Sequence, residues 1–137
     1  MKISIITPEK TAFKGEADSV VLETVEGEIG ILPGHLPLVT LLKAGDIEIE
    51  HNGEKQFLAV DKGFAEVTGD NIRVLTEAAI DVDSIDMEAV QQAEERARRY
   101  LAEAEGQPDL DPHELEQIQG SLRFAVAQRL AKGRRLR

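Results

Sequence analysis

The 137 residues suit one ordinary domain, or a small domain with an appendage. There is no Cys, which excludes a disulfide framework and a thiolate metal site, and with aromatics at 4% and no Trp the core is aliphatic and few rings are left to stack on bases or sugars. The net charge of −10 hides an asymmetry: from Ser121 to Arg137 there are six cations (Arg123, Arg129, Lys132, Arg134, Arg135 and Arg137) and no acid, against ten basic and 26 acidic side chains elsewhere.

Such asymmetry marks either a tail that meets an acidic partner or a solvated helix end whose cations complement the C-terminal dipole. No stretch approaches the roughly 18 apolar residues of a membrane-spanning helix. The opening has only a short apolar run, Ile3 to Ile6, before Pro8 and Glu9, so no secretory signal is expected. The chain reads as soluble, with membrane contact only through partners.

The first 80 or so residues read as strands. Lys2-Ile3-Ser4-Ile5-Ile6-Thr7 opens with β-branched residues and stops at Pro8. Ser19 to Thr24 is a second such run, Gly27 and Gly30 punctuate the next segment, and Pro33-Gly34 makes a turn before Leu36 to Leu42. Asp46 to Glu50 alternates polar and apolar, Asn52-Gly53 supplies the positive φ values of a type I′ turn, and Gln56 to Val60 returns. A second hairpin pairs Phe64 to Val67 with Ile72 to Leu75 across Thr68-Gly69-Asp70-Asn71. Short strands with frequent turns indicate a sandwich or barrel. Ala78 to Ser84 then reads as a connector, in which Asp81 and Asp83 are most simply solvated.

Two helices follow. Asp86 is the expected N-cap of the first, with Ile85 and Val90 at hydrophobic-staple spacing, and Val90, Ala93, Ala97, Tyr100 or Leu101, and Ala104 on one face. Gly106-Gln107-Pro108 ends it. Asp111-Pro112-His113-Glu114 starts the second as cap, helix-initiating proline and capping-box acid. Leu115, Ile118, Leu122, Ala125 or Val126, and Leu130 are its expected apolar face, with Gly120 inside it. The short link predicts an antiparallel hairpin. Its seam is rich in alanine, which buries little area, so the hairpin is expected to dock and open.

Chemistry is sparse. His35, His51 and His113 have no metal-ligand spacing, and Gly27-Glu28-Ile29-Gly30 has neither the Lys nor the helix of a phosphate loop. No catalytic residue is assigned. The acidic remainder and scarce aromatics argue against nucleic acid and for an acidic protein surface as partner of the basic end.

Glu26-Gly27-Glu28-Ile29-Gly30-Ile31-Leu32-Pro33-Gly34-His35-Leu36-Pro37-Leu38 resembles the signature segment of the epsilon subunit of bacterial and chloroplast F-type ATP synthases. Ile6-Thr7-Pro8-Glu9, Lys62-Gly63-Phe64-Ala65-Glu66-Val67 and Val74-Leu75-Thr76-Glu77-Ala78-Ala79 extend the resemblance over nearly the whole chain. It implies a β-sandwich of about ten strands over residues 1–84 and an antiparallel two-helix hairpin, a mobile inhibitory domain, over 85–137. It implies a non-catalytic rotor subunit of the central stalk. Its partners would be the gamma subunit, the c-subunit ring and the alpha/beta hexamer, and its hairpin would restrain ATP hydrolysis. Glu28, Ile29, Gly30, Ile31, Leu32 and His35 match the contact region, Glu28 toward the ring and His35 toward gamma. Arg123, Arg129, Lys132, Arg134 and Arg135 would meet an acidic helix-turn-helix of beta.

The implied location is peripheral, on the cytoplasmic face of the cell membrane, or on the thylakoid membrane in a photosynthetic source. Some relatives bind ATP at the start of the first helix through an arginine. Here the stretch is Ile85-Asp86-Met87-Glu88-Ala89-Val90, with Ala89 in that place, leaving Asp86 and Arg129 as a reduced site and no cofactor expected. The alternative reading is a stand-alone regulatory or nucleotide-sensing module with a similar β domain.

Overall fold

The computed structural model describes residues 1–107 and 109–135, with Arg135 described by its backbone only. The strands are β1 Lys2–Ile6, β2 Thr11–Glu16, β3 Ser19–Thr24, β4 Gly27–Ile31, β5 Leu38–Leu42, β6 Gly45–His51, β7 Glu54–Val60, β8 Gly63–Thr68, β9 Asn71–Thr76 and β10 Ala79–Asp81. They hydrogen-bond in the order β10-β7-β6-β3-β5-β8-β9-β1-β2, with β4 on β3. Between β3 and β5 the path narrows to the single pair Thr24↔Leu42, so the sheet folds into two leaves. All pairings are antiparallel except β1 with β9.

The alternation in the strands places the core between the leaves. Ile3, Ile5, Val20, Leu22, Ile47, Ile49, Val67, Ile72 and Val74 are all buried there, at every second position of their strands. The Asn52-Gly53 turn has the expected positive φ values of 53° and 79°. This is a β-sandwich of ten strands, and the sequence expectation of that architecture holds. Two strands were not legible: β2, and β10 inside the expected connector, where a short 3-10 turn over Val82–Ser84 follows. Asp81 is not merely solvated. Its Oδ1 accepts from the N–H of Asp83 at 2.8 Å, and its Oδ2 from Gln56 Nε2 at 2.6 Å.

Helices α1, Met87–Ala104, and α2, Pro112–Arg135, form the hairpin. Asp86 caps α1 by accepting from the N–H groups of Glu88 and Ala89 at 3.1 and 3.3 Å. Ile85 and Val90 are buried together as the staple requires. The helix ends at Ala104, and Gly106 turns the chain with φ 84°. Pro108 lies outside the described residues. Asp111 Oδ1 accepts from the N–H of His113 at 3.0 Å and caps α2.

The expected apolar face of α2 needs correction. Leu130 is 47% exposed, whereas Ala125, Ala127 and Ala131 are buried. The reason is that α2 packs on two sides. Leu115, Ile118, Leu122 and Val126 are half-buried, and the helix contacts both α1 and strands β6 and β7 of the sandwich. Phe57 and Ala59 on β7, with Val82, Ile85, Val90, Phe124, Ala125 and Ala131, form a second cluster beneath the helix. This structure therefore holds the hairpin docked.

Candidate interaction surfaces

The segment from β3 to β5 is held at its root and exposed at its tip. Thr24, buried at the end of β3, donates its hydroxyl to the Gly27 carbonyl oxygen at 2.5 Å and accepts from the Glu26 N–H at 3.2 Å. Gly27 takes φ 124°, which β-branched or bulky residues avoid. Farther on, the His35 N–H donates to the Leu32 carbonyl at 3.1 Å across Pro33-Gly34, and Gly34 has φ 85°, the pattern of a type II turn. His35 Nδ1 lies 2.7 Å from the Leu36 carbonyl oxygen, a contact made by the Nδ1–H tautomer.

The six residues singled out in this segment separate by burial. Glu28, Gly30 and Leu32 are exposed, Ile29 and His35 are half-buried, and Ile31 is in the sandwich core. Leu36, next in line, is 79% exposed. The segment thus offers a carboxylate on β4 and two leucines beyond it to solvent on a braced stem.

A larger surface escaped the sequence reading. Val25, Val39, Leu41 and Phe64 are exposed together, and Leu41 pairs with Phe64 across β5 and β8. Val25, Leu41 and Phe64 border an apolar cleft of about 810 Å³ that also takes in Ile6, Pro8 and Leu75, with Lys43, Lys62 and Arg123 among its lining residues. A signal existed: Leu38-Val39-Thr40-Leu41-Leu42 is apolar nearly throughout, which is the pattern of a strand covered on both faces. Here only one face is covered. Gly63 at the start of β8 permits a close strand approach, since a Cβ there would lie 2.0 Å from the Leu75 carbonyl oxygen.

The basic helix end is occupied by this chain's own acids. Arg123 makes a forked contact with Asp61, Nε to Oδ1 at 2.6 Å and Nη2 to Oδ2 at 3.1 Å. Asp61 is 4% exposed and also accepts from the Lys62 N–H at 2.7 Å. The Asp61 carboxylate raises the Arg123 pKa above its ordinary value, against the opposing effect of burial. Arg129 bonds Glu94 of α1 at 3.0 and 3.4 Å. Arg134 reaches Asp46 at 2.7 Å, and Lys132 donates to the Val82 carbonyl at 3.2 Å. The Arg135 side chain lies outside the described residues.

Asp86 and Arg129, the reduced nucleotide site, have other tasks here. Asp86 spends its Oδ1 on the α1 cap, and Arg129 is engaged with Glu94. Glu94 also takes a bond from Arg98 at 2.8 Å. Arg98 first and Arg129 second hold its carboxyl below the usual glutamate range. The shallow depression on α1 beside these groups is lined by Glu88, Gln91, Gln92, Glu94, Glu95 and Arg98, and its carboxylates oppose a phosphate.

Comparison with known proteins gives concordant matches. The family described as ATP synthase, Delta/Epsilon chain, beta-sandwich domain, matches residues 1–82. An ATP synthase epsilon chain of Brevibacillus brevis is 41% identical over 104 residues, covering 75% of this chain and 79% of its own length. One from Helicobacter acinonychis is 42% identical over 104 residues, covering 76% and 84%. Among solved structures, a chain of the Euglena gracilis mitochondrial ATP synthase, described as OSCP/F1/c-ring in rotational state 1, superposes with a TM-score of 0.72 at 26% identity, over 94% of this chain and 79% of that one.

Proposed function

This chain belongs to the family of ATP synthase delta and epsilon chains, and from that membership we propose that it is a rotor subunit of the central stalk, attached through its β-sandwich and acting as a brake through its helical hairpin. It is a non-catalytic epsilon subunit of an F-type ATP synthase. The c ring named with the Euglena structure supports the placement beside the membrane sector. Among the described residues no helix is long and apolar enough to cross a membrane. The proposed location is peripheral, in contact with the membrane through the complex, on the cytoplasmic face of the cell membrane or on the thylakoid membrane.

The observation that carries the attachment is the uncovered apolar face of Val25, Val39, Leu41 and Phe64. Exposed apolar surface gathered in one place is the mark of a protein interface. This face is the seat of gamma, and His35 is assigned to the same partner. Glu28 and Gly30 on β4, with Leu32 and Leu36 in the turn beyond it, face the c ring, and Ile29 and Ile31 anchor that strand in the core. Residues 1–84 are the fixed attachment and 85–137 the movable part, whose Arg123, Arg129, Lys132, Arg134 and Arg135 meet the acidic surface of beta when it opens. Charge guides such an encounter and selects the partner. ATP is not its latch, because Ala89 supplies no guanidinium and Arg129 already serves Glu94.

Co-expression with the gamma subunit of the same complex tests the attachment. Each buried Leu or Phe side chain contributes about 1.5–3 kcal/mol. Leu41→Glu and Phe64→Glu, both at exposed positions, should therefore each weaken gamma retention about tenfold or more. Undiminished retention by the doubly substituted chain, folded by circular dichroism, would refute this seat.

A further inference from the structure

Arg123 and Arg134 are eleven residues apart on α2, about three turns, so they share one face of the helix. Ala127 and Ala131, buried, lie between them on the same stripe. Their small side chains let the helix sit close to the sandwich, and an arginine stands at each end. Arg123 closes on Asp61, in the β7–β8 turn, and Arg134 on Asp46, in β6. Both acids belong to the sandwich and are largely shielded, with side chains 6% and 15% exposed. Arg129 lies on the other stripe and meets Glu94, which belongs to α1.

The Asp61 carboxylate is fixed by its backbone. Its N–H donates to the Ala78 carbonyl at 2.9 Å, and its carbonyl accepts from the Thr76 hydroxyl at 2.8 Å. The Lys62 N–H holds Oδ1. It is thus oriented to receive a guanidinium without reorganising.

We propose that Asp61 and Asp46 are a two-pin latch on the sandwich that masks Arg123 and Arg134, and that Glu94–Arg129 is a separate tie between the helices, so the hairpin's cations are released in two stages. This rests on the reading of the hairpin as a movable brake. Lifting the hairpin as a unit frees Arg123 and Arg134 for an acidic partner, which then replaces one carboxylate with another. Arg129 becomes free only when the helices part.

The absence of Cys allows site-specific labels at Ala44→Cys and Leu130→Cys, which border one crevice between β5–β6 and α2. Distances between spin labels are measured on the full chain. The parent should give a short population. Asp61→Asn with Asp46→Asn should raise the lifted-to-docked ratio about 10- to 100-fold, the worth of a charge-assisted bond. Arg123→Gln with Arg134→Gln, which leaves the sandwich untouched, should do the same. Glu94→Gln should leave this distance unchanged while speeding amide exchange in α2. An unchanged distance in both latch variants, or an equal opening by Glu94→Gln, would overturn the latch. If the latch variants lift the hairpin but leave ATP hydrolysis by the assembled enzyme unchanged, the latch stands and the braking role falls.

Discussion

Arg123 Nε lies 2.6 Å from Oδ1 of Asp61, 62 residues away in sequence. The pair joins α2 to the turn after β7, and it ties a partly exposed cation to an acid that the fold has shielded. Replacing Asp61 with Ala removes the guanidinium's acceptor and also leaves the Lys62 N–H without its carboxylate. The expected loss is about 1.5–3 kcal/mol, read from urea unfolding followed by helix signal. Loss confined to a few tenths would mean that water replaces both contacts.

Gly63 faces Leu75 and Thr76 across β8 and β9. An added methyl at 2.0 Å from a backbone oxygen cannot be relieved by a rotamer change, since the obstacle is main chain. Gly63→Ala is expected to destabilise the sandwich by about 3 kcal/mol or more. Chemical denaturation measures this directly, and a neutral effect would show that the strands can part there.

Gly120 sits in α2 where a Cβ would come within 3.3 Å of Arg123 Nη2. Alanine gains about 1 kcal/mol over glycine in a helix interior, but here it presses on the guanidinium that Asp61 holds. Gly120→Ala should therefore stabilise α2 more in an Arg123→Gln background than in the parent. A double-mutant cycle on thermal unfolding gives the coupling; strict additivity would contradict the crowding.

Glu94 has a folded pKa below its ordinary 4.5 because Arg98 and Arg129 bond its carboxylate. Its contribution to stability is therefore complete above pH 4.5 and is lost as pH falls through the lower folded value. A helix signal followed from pH 6 down to about pH 3 should show acid loosening that Glu94→Gln largely abolishes. Equal acid sensitivity in the variant would assign the effect to other carboxylates.

Much of the fold was legible where the determinants are local. Asn52-Gly53 fixed one hairpin, and Asp86 and Asp111 marked both helix starts. Strand β2, Thr-Ala-Phe-Lys-Gly-Glu, is an edge strand with weak alternation, and β10 has three residues, too few for a period to emerge. The apolar face of α2 was misread at Leu130 because the helix packs on two sides, so a single stripe does not describe it. The basic end was visible as charge, but its partners Asp61, Asp46 and Glu94 were not, since pairing over 35 to 88 residues leaves no local pattern. The apolar cleft had a local sign only in the apolar run of β5; Val25, after β3, Leu41 and Phe64 meet only once β3, β5 and β8 are assembled.

In the proposed function the basic half of α2 brakes the assembled enzyme. This is tested by ATP hydrolysis of the complex carrying either the full chain or a chain ending at Gly120. Hydrolysis should be faster with the shortened chain, which keeps the sandwich and with it the attachment to gamma. Unchanged hydrolysis, with the shortened chain present at full stoichiometry, would contradict it.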